Sequence, residues 1–300
     1  MKNEEKEKSI IEKIAPLKQE SIILPLFPVV YYEDFETALG LIRKMAQYHK
    51  MCRIIGYPGS GKTRLLKEYL KRDENAVMLT PGRSCTEKDL LKSLGAAVNY
   101  YCGNKSKFQA TRELIAFLNT RGKDTVFLID EADSLCSHES HTVKNIDRLE
   151  NIRYIWDNTR LHTSFIFAAP FELEARLQRS NDTVITSQFY RRCTIHILTG
   201  ITEKTGRELL SKVEEEFHVK FDSAAKTLMI RRMLEQERGG LGIALETLEK
   251  AMMLTCPEWD EYYKQIEYSE PREKALELFK DAPERTISQA VIENALQMNR

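Results

Sequence analysis

Cysteine is scarce in this chain and never closely paired. Six cysteines stand at positions 52, 85, 102, 136, 193 and 256, with no C-x-x-C among them. That excludes the usual patterns of a zinc site or a small disulfide framework and suits separate thiols in a reducing compartment. Long hydrophobic runs are missing too. No stretch approaches the roughly 18 uninterrupted apolar residues that read as a membrane-spanning helix. An excess of either charge is also absent: Lys+Arg and Asp+Glu both number 45, so the net charge is zero. No global basic field draws the chain to nucleic acid, which leaves only a local basic patch for that purpose. The opening MKNEEKEKSIIEKIA mixes both signs and lacks the apolar core of a secretory signal. These absences set the expectation of a cytoplasmic protein without a membrane span. Its 300 residues suffice for one large domain or a medium one with a smaller companion.

Glycine is sparse as well, 13 in all, yet three fall within 56-GYPGSGKT-63. The flanks give the reason. The segment 52-CRII-55 reads as a short buried strand, and 63-TRLLKEYL-70 carries apolar residues at helical spacing. Strand, glycine-rich turn and helix form the context of a phosphate-binding loop, and Gly56 to Thr63 fits Gly-x-x-x-x-Gly-Lys-Thr without a gap. Gly56, Pro58, Gly59, Ser60 and Gly61 form the expected cradle, in which glycines let backbone N–H groups approach a polyphosphate with no Cβ in the way. The positive end of the following helix adds to it. Lys62 is expected on the β- and γ-phosphates of ATP, and Thr63 on Mg²⁺.

Along the rest of the chain, strands and helices alternate. Strands are expected over 52–55, 76–80, 125–130, 164–169 and 194–198. Helices are expected over 34–50 with Asp34 as N-cap, then 63–72, 86–101, 108–121, roughly 143–160, 171–179 and near 183–192. The proline-broken 22-IILPLFPVV-30 reads as an extended segment packed on the domain that follows it. Buried strands alternating with helices indicate an α/β parallel sheet covered on both faces. After Thr199 only helices are expected, among them 203–217, 239–253 and 286–298. The organisation is thus a charged N-terminal arm over 1–20, a nucleotide-binding core over 21–200 and a small all-helical lid over 201–300.

The second chemical signal is 126-VFLIDEAD-133. Two carboxylates end a buried strand, where ligands bind in an open parallel sheet. Asp130 is placed to hold the Mg²⁺ shell and Glu131 to polarise an attacking water as general base. Asp133 reads as structural.

GYPGSGKT and VFLIDEAD resemble the Walker A and Walker B motifs of AAA+ ATPases. Further segments, TPGRSCTEKDLLKSL, APFELEARL, TSQFYRRCTIHILTGIT and GGLGIALETLEKAM, are similar to the DNA-transposition ATPases of the Mu B, TnsC and TniB group. The resemblance implies a P-loop NTPase fold, ATP hydrolysis with Mg²⁺, assembly into homo-oligomeric rings or filaments, and action on double-stranded DNA together with a transposase or other recombination protein. It implies an arginine acting in trans on a neighbour's nucleotide; FYRR places Arg192 or Arg191 there, the alternative being that both cap a helix end. It also implies that the loops 81-PGRSCTEK-88 and 103-GNKSK-107 face DNA, with Arg83, Lys88, Lys105 and Lys107 on phosphates and little sequence preference.

Two departures qualify the expectation. The fourth strand ends Phe167-Ala168-Ala169 where the family usually carries a polar sensor. Ile243 follows the glycine turn where the family usually carries an arginine, which leaves Arg238 as the nearest substitute. Slow hydrolysis is therefore expected, in an assembly switch rather than a motor. Two alternatives stay open: a replication initiator or helicase loader, and a nucleotide-gated scaffold without turnover, against which Glu131 argues.

Overall fold

Three strands of the chain, β1 (Met51–Ile55), β3 (Thr125–Ile129) and β4 (Thr163–Ala169), are buried at every residue. Continuous burial without in–out alternation marks strands covered on both faces. In the computed structural model they form the middle of a five-stranded, wholly parallel sheet ordered β2-β3-β4-β1-β5, with β2 (Ala76–Leu79) and β5 (Cys193–Ile197) at the edges. The structure describes residues 26–28, 33–82, 84–103, 105–136, 147–179, 188–189, 191–235, 237, 239–268 and 271–298. By proximity of their Cα atoms these fall into two compact units. The first gathers Thr37–Gly56 and Lys62–Leu198; the second gathers Tyr57–Gly61, Thr199–Arg300 and the segment that ends at Glu36.

In the first unit the sheet is flanked by α1 (Glu33–Gln47) from Thr37 onward, its first residues belonging to the second unit, and by α2 (Lys62–Arg72), α3 (Glu87–Ala97), α4 (Lys107–Thr120), α5 (Asp147–Asp157) and α6 (Phe171–Arg179). Stacked rings of Phe127, Phe165 and Phe167 run across β3 and β4 at the centre of its core. Local chemistry fixes the helix starts. Thr86 and Asp89 form a reciprocal capping box at α3, and Ser106 caps α4. The helix expected over 86–101 stops at Ala97 because Asn99 takes a left-handed backbone (φ 60°). α5 ends at Asp157, short of the expected 160, while residues 143–146 of that expected helix and most of the helix expected near 183–192 lie outside the described residues. Asp34 is no N-cap: α1 starts at Glu33, and the Asp34 carboxylate accepts from the amide and hydroxyl of Thr199 at 2.6 and 2.8 Å.

The second unit is helical, with α7 (Glu203–Phe217), α8 (Ser223–Leu234), α9 (Gly240–Thr255), α10 (Trp259–Glu267), α11 (Arg272–Ala275) and α12 (Gln289–Gln297). One feature departs from the helices-only expectation. β6 (Val219–Phe221) and β7 (Arg285–Ile287) pair as a short parallel ladder, so residues 286 and 287 are strand, not helix. Strands this short carry no periodic signal; partners 66 residues apart in sequence make them. The apolar segment before α1 is placed differently as well. Phe27 is buried in the second unit, stacked on Trp259 at 5.4 Å and edge-on to Phe217, and Leu26 accepts a hydrogen bond from the Tyr262 hydroxyl at 2.7 Å. Among the described residues no helix is long and apolar enough to cross a membrane.

Candidate active site

The sheet delivers its two chemical segments from the same ends of the two strands that flank β4. β1 and β3 both pair with β4, Ile55 opposite Ala169 and Ile129 opposite Phe167. The chain therefore leaves β1 at Gly56 and β3 at Asp130 from the carboxyl edge, where open parallel sheets bind ligands.

Gly56 still belongs to the ladder, its amide donating to the Ala169 carbonyl at 3.3 Å. The chain then turns, with Ser60 N–H donating to the Tyr57 carbonyl at 3.1 Å. Gly59 (φ 76°) and Gly61 (φ 94°) take left-handed backbones that a Cβ would strain. α2 begins at Lys62 with no acidic residue in its own first turn, which leaves the positive end of the helix uncapped from within. Lys62 Nζ donates to the Gly56 carbonyl at 2.8 Å, back across the loop. Burial lowers the Lys62 pKa, and the nearby carboxylates of Asp130, Asp133 and Glu172 act against it. An anion held by the loop would relieve the cost of that partly buried charge. Thr63 is exposed.

Asp130 is only 6% exposed, and its amide continues the sheet by donating to Leu79 at 2.8 Å. Glu131 then takes a left-handed backbone (φ 47°) that costs a non-glycine residue about 1–2 kcal/mol. Its amide donates to Asp130 Oδ1 at 3.0 Å, and its side chain is exposed at the head of a 3-10 turn, Ala132–Leu135. Ser134 anchors that turn to the loop after β2 through the Pro81 carbonyl at 2.8 Å. A buried carboxylate and a hydroxyl are hard oxygen donors, too few to cage a metal alone. They suit Mg²⁺, which shares its shell with phosphate oxygens and water. Phe167, Ala168 and Ala169 are fully buried and apolar, so β4 offers no side-chain donor at its end.

The two arginines of FYRR part company. Arg192 Nε lies 3.2 Å from Asp157 Oδ1, a carboxylate it shares with Arg160, and Nη1 donates to the Gln188 carbonyl at 3.2 Å. Arg191 is exposed. The basic loops are also less free than their sequence suggests. Lys105 is ion-paired with Glu113, and Lys107 with Glu87, which lies in the first turn of α3. Lys105 and the Tyr100 hydroxyl hold Glu113 below the usual carboxylate range. Tyr100 itself stacks on Phe117, so it packs rather than projects. Lys88 is exposed, and Arg83 and Arg238 lie outside the described residues. Beside these lysines, Phe108 is 68% exposed with the Arg112 guanidinium 5.5 Å from its ring, an aromatic–cation pair whose i, i+4 spacing was visible in the sequence.

The buried charge of Arg53 escaped sequence reasoning. Arg53, in the middle of β1, is 2% exposed and donates to Glu174 Oε1 on α6 at 2.6 Å. Nothing local marks that pair, because its partners are 121 residues apart.

Residues 44–177 match the family model described as an AAA domain. No curated protein matches the chain in sequence. Among solved structures it is similar to the ORC2 protein of Aeropyrum pernix in ADPNP–ADP complexes, with a TM-score of 0.60 at 13% identity over 95% of this chain and 71% of that one. It is also similar to Cdc6p of Pyrobaculum aerophilum, with a TM-score of 0.56 at 13% identity over 79% and 65% of the two chains. The Drosophila ORC bound to DNA gives a TM-score of 0.56 at 16% identity over 97% and 66%. The chain thus spans about two thirds of the length of these structures, and at such identities the likeness is one of fold. That fold is the P-loop AAA+ fold, a five-stranded parallel sheet with helices on both faces and a helical C-terminal region.

Proposed function

We propose that this chain binds and slowly hydrolyses ATP, and uses the nucleotide to control its assembly on double-stranded DNA. The observation that carries the reading is the left-handed glycine loop between β1 and α2, with Lys62 reaching back across it beside the Asp130–Glu131 turn. In this reading Lys62 offsets charge on the β- and γ-phosphates, and the main-chain amides of the loop and the first turn of α2 orient them. Asp130 and Thr63 would hold Mg²⁺, which when bound offsets charge on the phosphate oxygens. Glu131, outside the sheet and exposed, takes the proton of the attacking water. With no polar group at the end of β4, positioning of the γ-phosphate is incomplete and turnover is slow. Arg191, exposed where Arg192 is tied to Asp157, is the better candidate to reach a neighbouring subunit's nucleotide in a ring or filament.

The DNA partner and the transposition role rest on the sequence resemblance, with Lys88, Lys105, Lys107 and Arg83 as the proposed phosphate contacts. We place this protein with regulators that select target DNA for a transposase. The second reading, a replication initiator or helicase loader, is favoured by the fold likeness to the ORC and Cdc6 structures. Duplex binding measured with and without a non-hydrolysable ATP analogue, on unrelated sequences, tests both. A transposition regulator should bind all duplexes alike and only with the nucleotide, and Lys62→Ala should abolish that binding. A strong preference for one sequence would favour the initiator, and DNA binding unaffected by nucleotide or by Lys62→Ala would refute the switch.

A further inference from the structure

The apex of the phosphate loop is in main-chain contact with a second glycine cluster. A Cβ built on Gly59 would lie 2.0 Å from the Gly239 carbonyl oxygen and 2.9 Å from the Gly242 nitrogen. Reciprocally, a Cβ on Gly242 would lie 3.1 Å from the Gly59 Cα. At Gly59 no Cβ fits, and at Gly242 one would press tightly on the loop. Tyr57 adds a second tie from the same loop, its hydroxyl 3.4 Å from Glu237 Oε1, two residues before that turn. All of these residues belong to the second unit.

Gly242 is the informative member of the cluster. It lies in the first turn of α9, where its amide donates to the Gly239 carbonyl at 3.0 Å, and its backbone is not left-handed. Conformation therefore does not demand glycine there, and glycine costs a helix about 1 kcal/mol relative to alanine. Gly40 makes the contrast, a glycine within α1 whose added Cβ would meet nothing within 4 Å. What Gly242 supplies is room for Gly59. Ile243, next in the chain, is exposed and uncharged, so the turn acts on the loop by packing rather than by charge.

We infer that the glycine turn at the head of α9 is a positioning element for the phosphate loop, and that Gly242 sets how well the loop holds a nucleoside di- or triphosphate. This rests on the phosphate-loop reading given above. The loop can present its amides to a polyphosphate only while Gly59 keeps its left-handed backbone, and the turn lies against that residue. A loop held in this form before the ligand arrives loses less freedom on binding it.

The test is Gly242→Ala in the full chain, with Gly40→Ala as the control for the substitution itself. ADP and ATP-analogue affinities are measured by calorimetry, ATP turnover by phosphate release, and melting without nucleotide by circular dichroism. Alanine favours the helix, so the nucleotide-free melting temperature should stay equal or rise. Affinity for both nucleotides should fall about tenfold, the size expected when a preformed loop must be reordered on binding. KM for ATP should rise while kcat at saturation holds, as for lost uniform binding. Gly40→Ala should leave both affinities, KM and kcat unchanged and raise the melting temperature, since its Cβ meets open space within a helix. Unchanged affinity in Gly242→Ala overturns the inference, and so does a fall in affinity matched by a fall in melting temperature, which would make Gly242 merely structural. A wild-type protein that binds neither nucleotide would instead remove the phosphate-loop reading, and the inference with it.

Discussion

Removing the carboxylate of Glu174 should destabilise this protein more than removing any surface ion-pair partner. Arg53 sits mid-strand in β1, next to the centre of the sheet, with 3% of its side chain exposed; that of Glu174 is 15% exposed. Their contact is 2.6 Å long, and the Phe189 ring lies 5.7 Å from the guanidinium. Breaking a buried pair from one side leaves an uncompensated charge and typically costs about 3–5 kcal/mol. Because Glu174 keeps some access to water, Glu174→Ala should fall near the low end, about 3 kcal/mol. The pair itself need not be stabilising, since both ions lost their hydration on folding. Arg53→Met with Glu174→Leu should therefore recover most of the loss and end within about 1 kcal/mol of the wild type. By comparison, Glu203→Ala, which breaks the exposed Arg207–Glu203 pair at 64% and 58% side-chain exposure, should cost under about 1 kcal/mol. Urea unfolding followed by tryptophan fluorescence, to which the buried Trp156 of the first unit contributes, measures all of these variants. A Glu174→Ala loss under about 1 kcal/mol, or a double variant as unstable as the single, would refute the reasoning.

The remaining predictions concern the site and its surroundings. Glu131→Gln should retain ATP affinity and lower turnover by about 100-fold or more, as expected on losing a general base; phosphate release at the wild-type rate would exclude that role. Lys62→Met should abolish nucleotide binding yet raise the melting temperature of the nucleotide-free protein at neutral pH. Burial lowers the Lys62 pKa from 10.5, so the penalty for holding its charge is full below the lowered value and disappears as pH rises past 10.5. The melting difference between variant and wild type should accordingly shrink towards that pH, and a constant difference would deny the cause. Lys88→Ala should weaken binding to all duplexes alike and reduce the salt slope by roughly 0.9. Lys105→Ala should do less, because Glu113 already neutralises that lysine; equal effects in filter binding would show that the pair opens on DNA. Tyr262→Phe, which removes the hydroxyl bound to the Leu26 carbonyl, should cost about 1 kcal/mol in thermal unfolding.

The sequence by itself determined what is local. Spacing placed a glycine loop between a strand and a helix, and the structure has β1 ending at Ile55 and α2 beginning at Lys62 around it. Apolar runs marked the buried strands, because a strand covered on both faces is made mostly of apolar residues. Capping chemistry marked the start of α3, because a helix end leaves amides that a nearby Thr and Asp can satisfy. Each of these signals is complete within about a dozen residues.

Only tertiary structure decided the rest. The order that inserts β4 between β3 and β1 brings the loop and the acidic turn to one edge of the sheet, and no periodicity encodes that order. Arg53 with Glu174, Lys107 with Glu87, β6 with β7 and Gly59 with Gly242 are each meetings of distant segments. They turn a lone charge in a strand into a buried pair, a free lysine into a neutralised one, three polar-flanked residues into a strand, and a weak helix start into a seat for a loop. A residue's own neighbours in the chain fix its backbone preference and hydropathy. Its charge partner, its room for a Cβ and its exposure are set by atoms that folding brings from elsewhere.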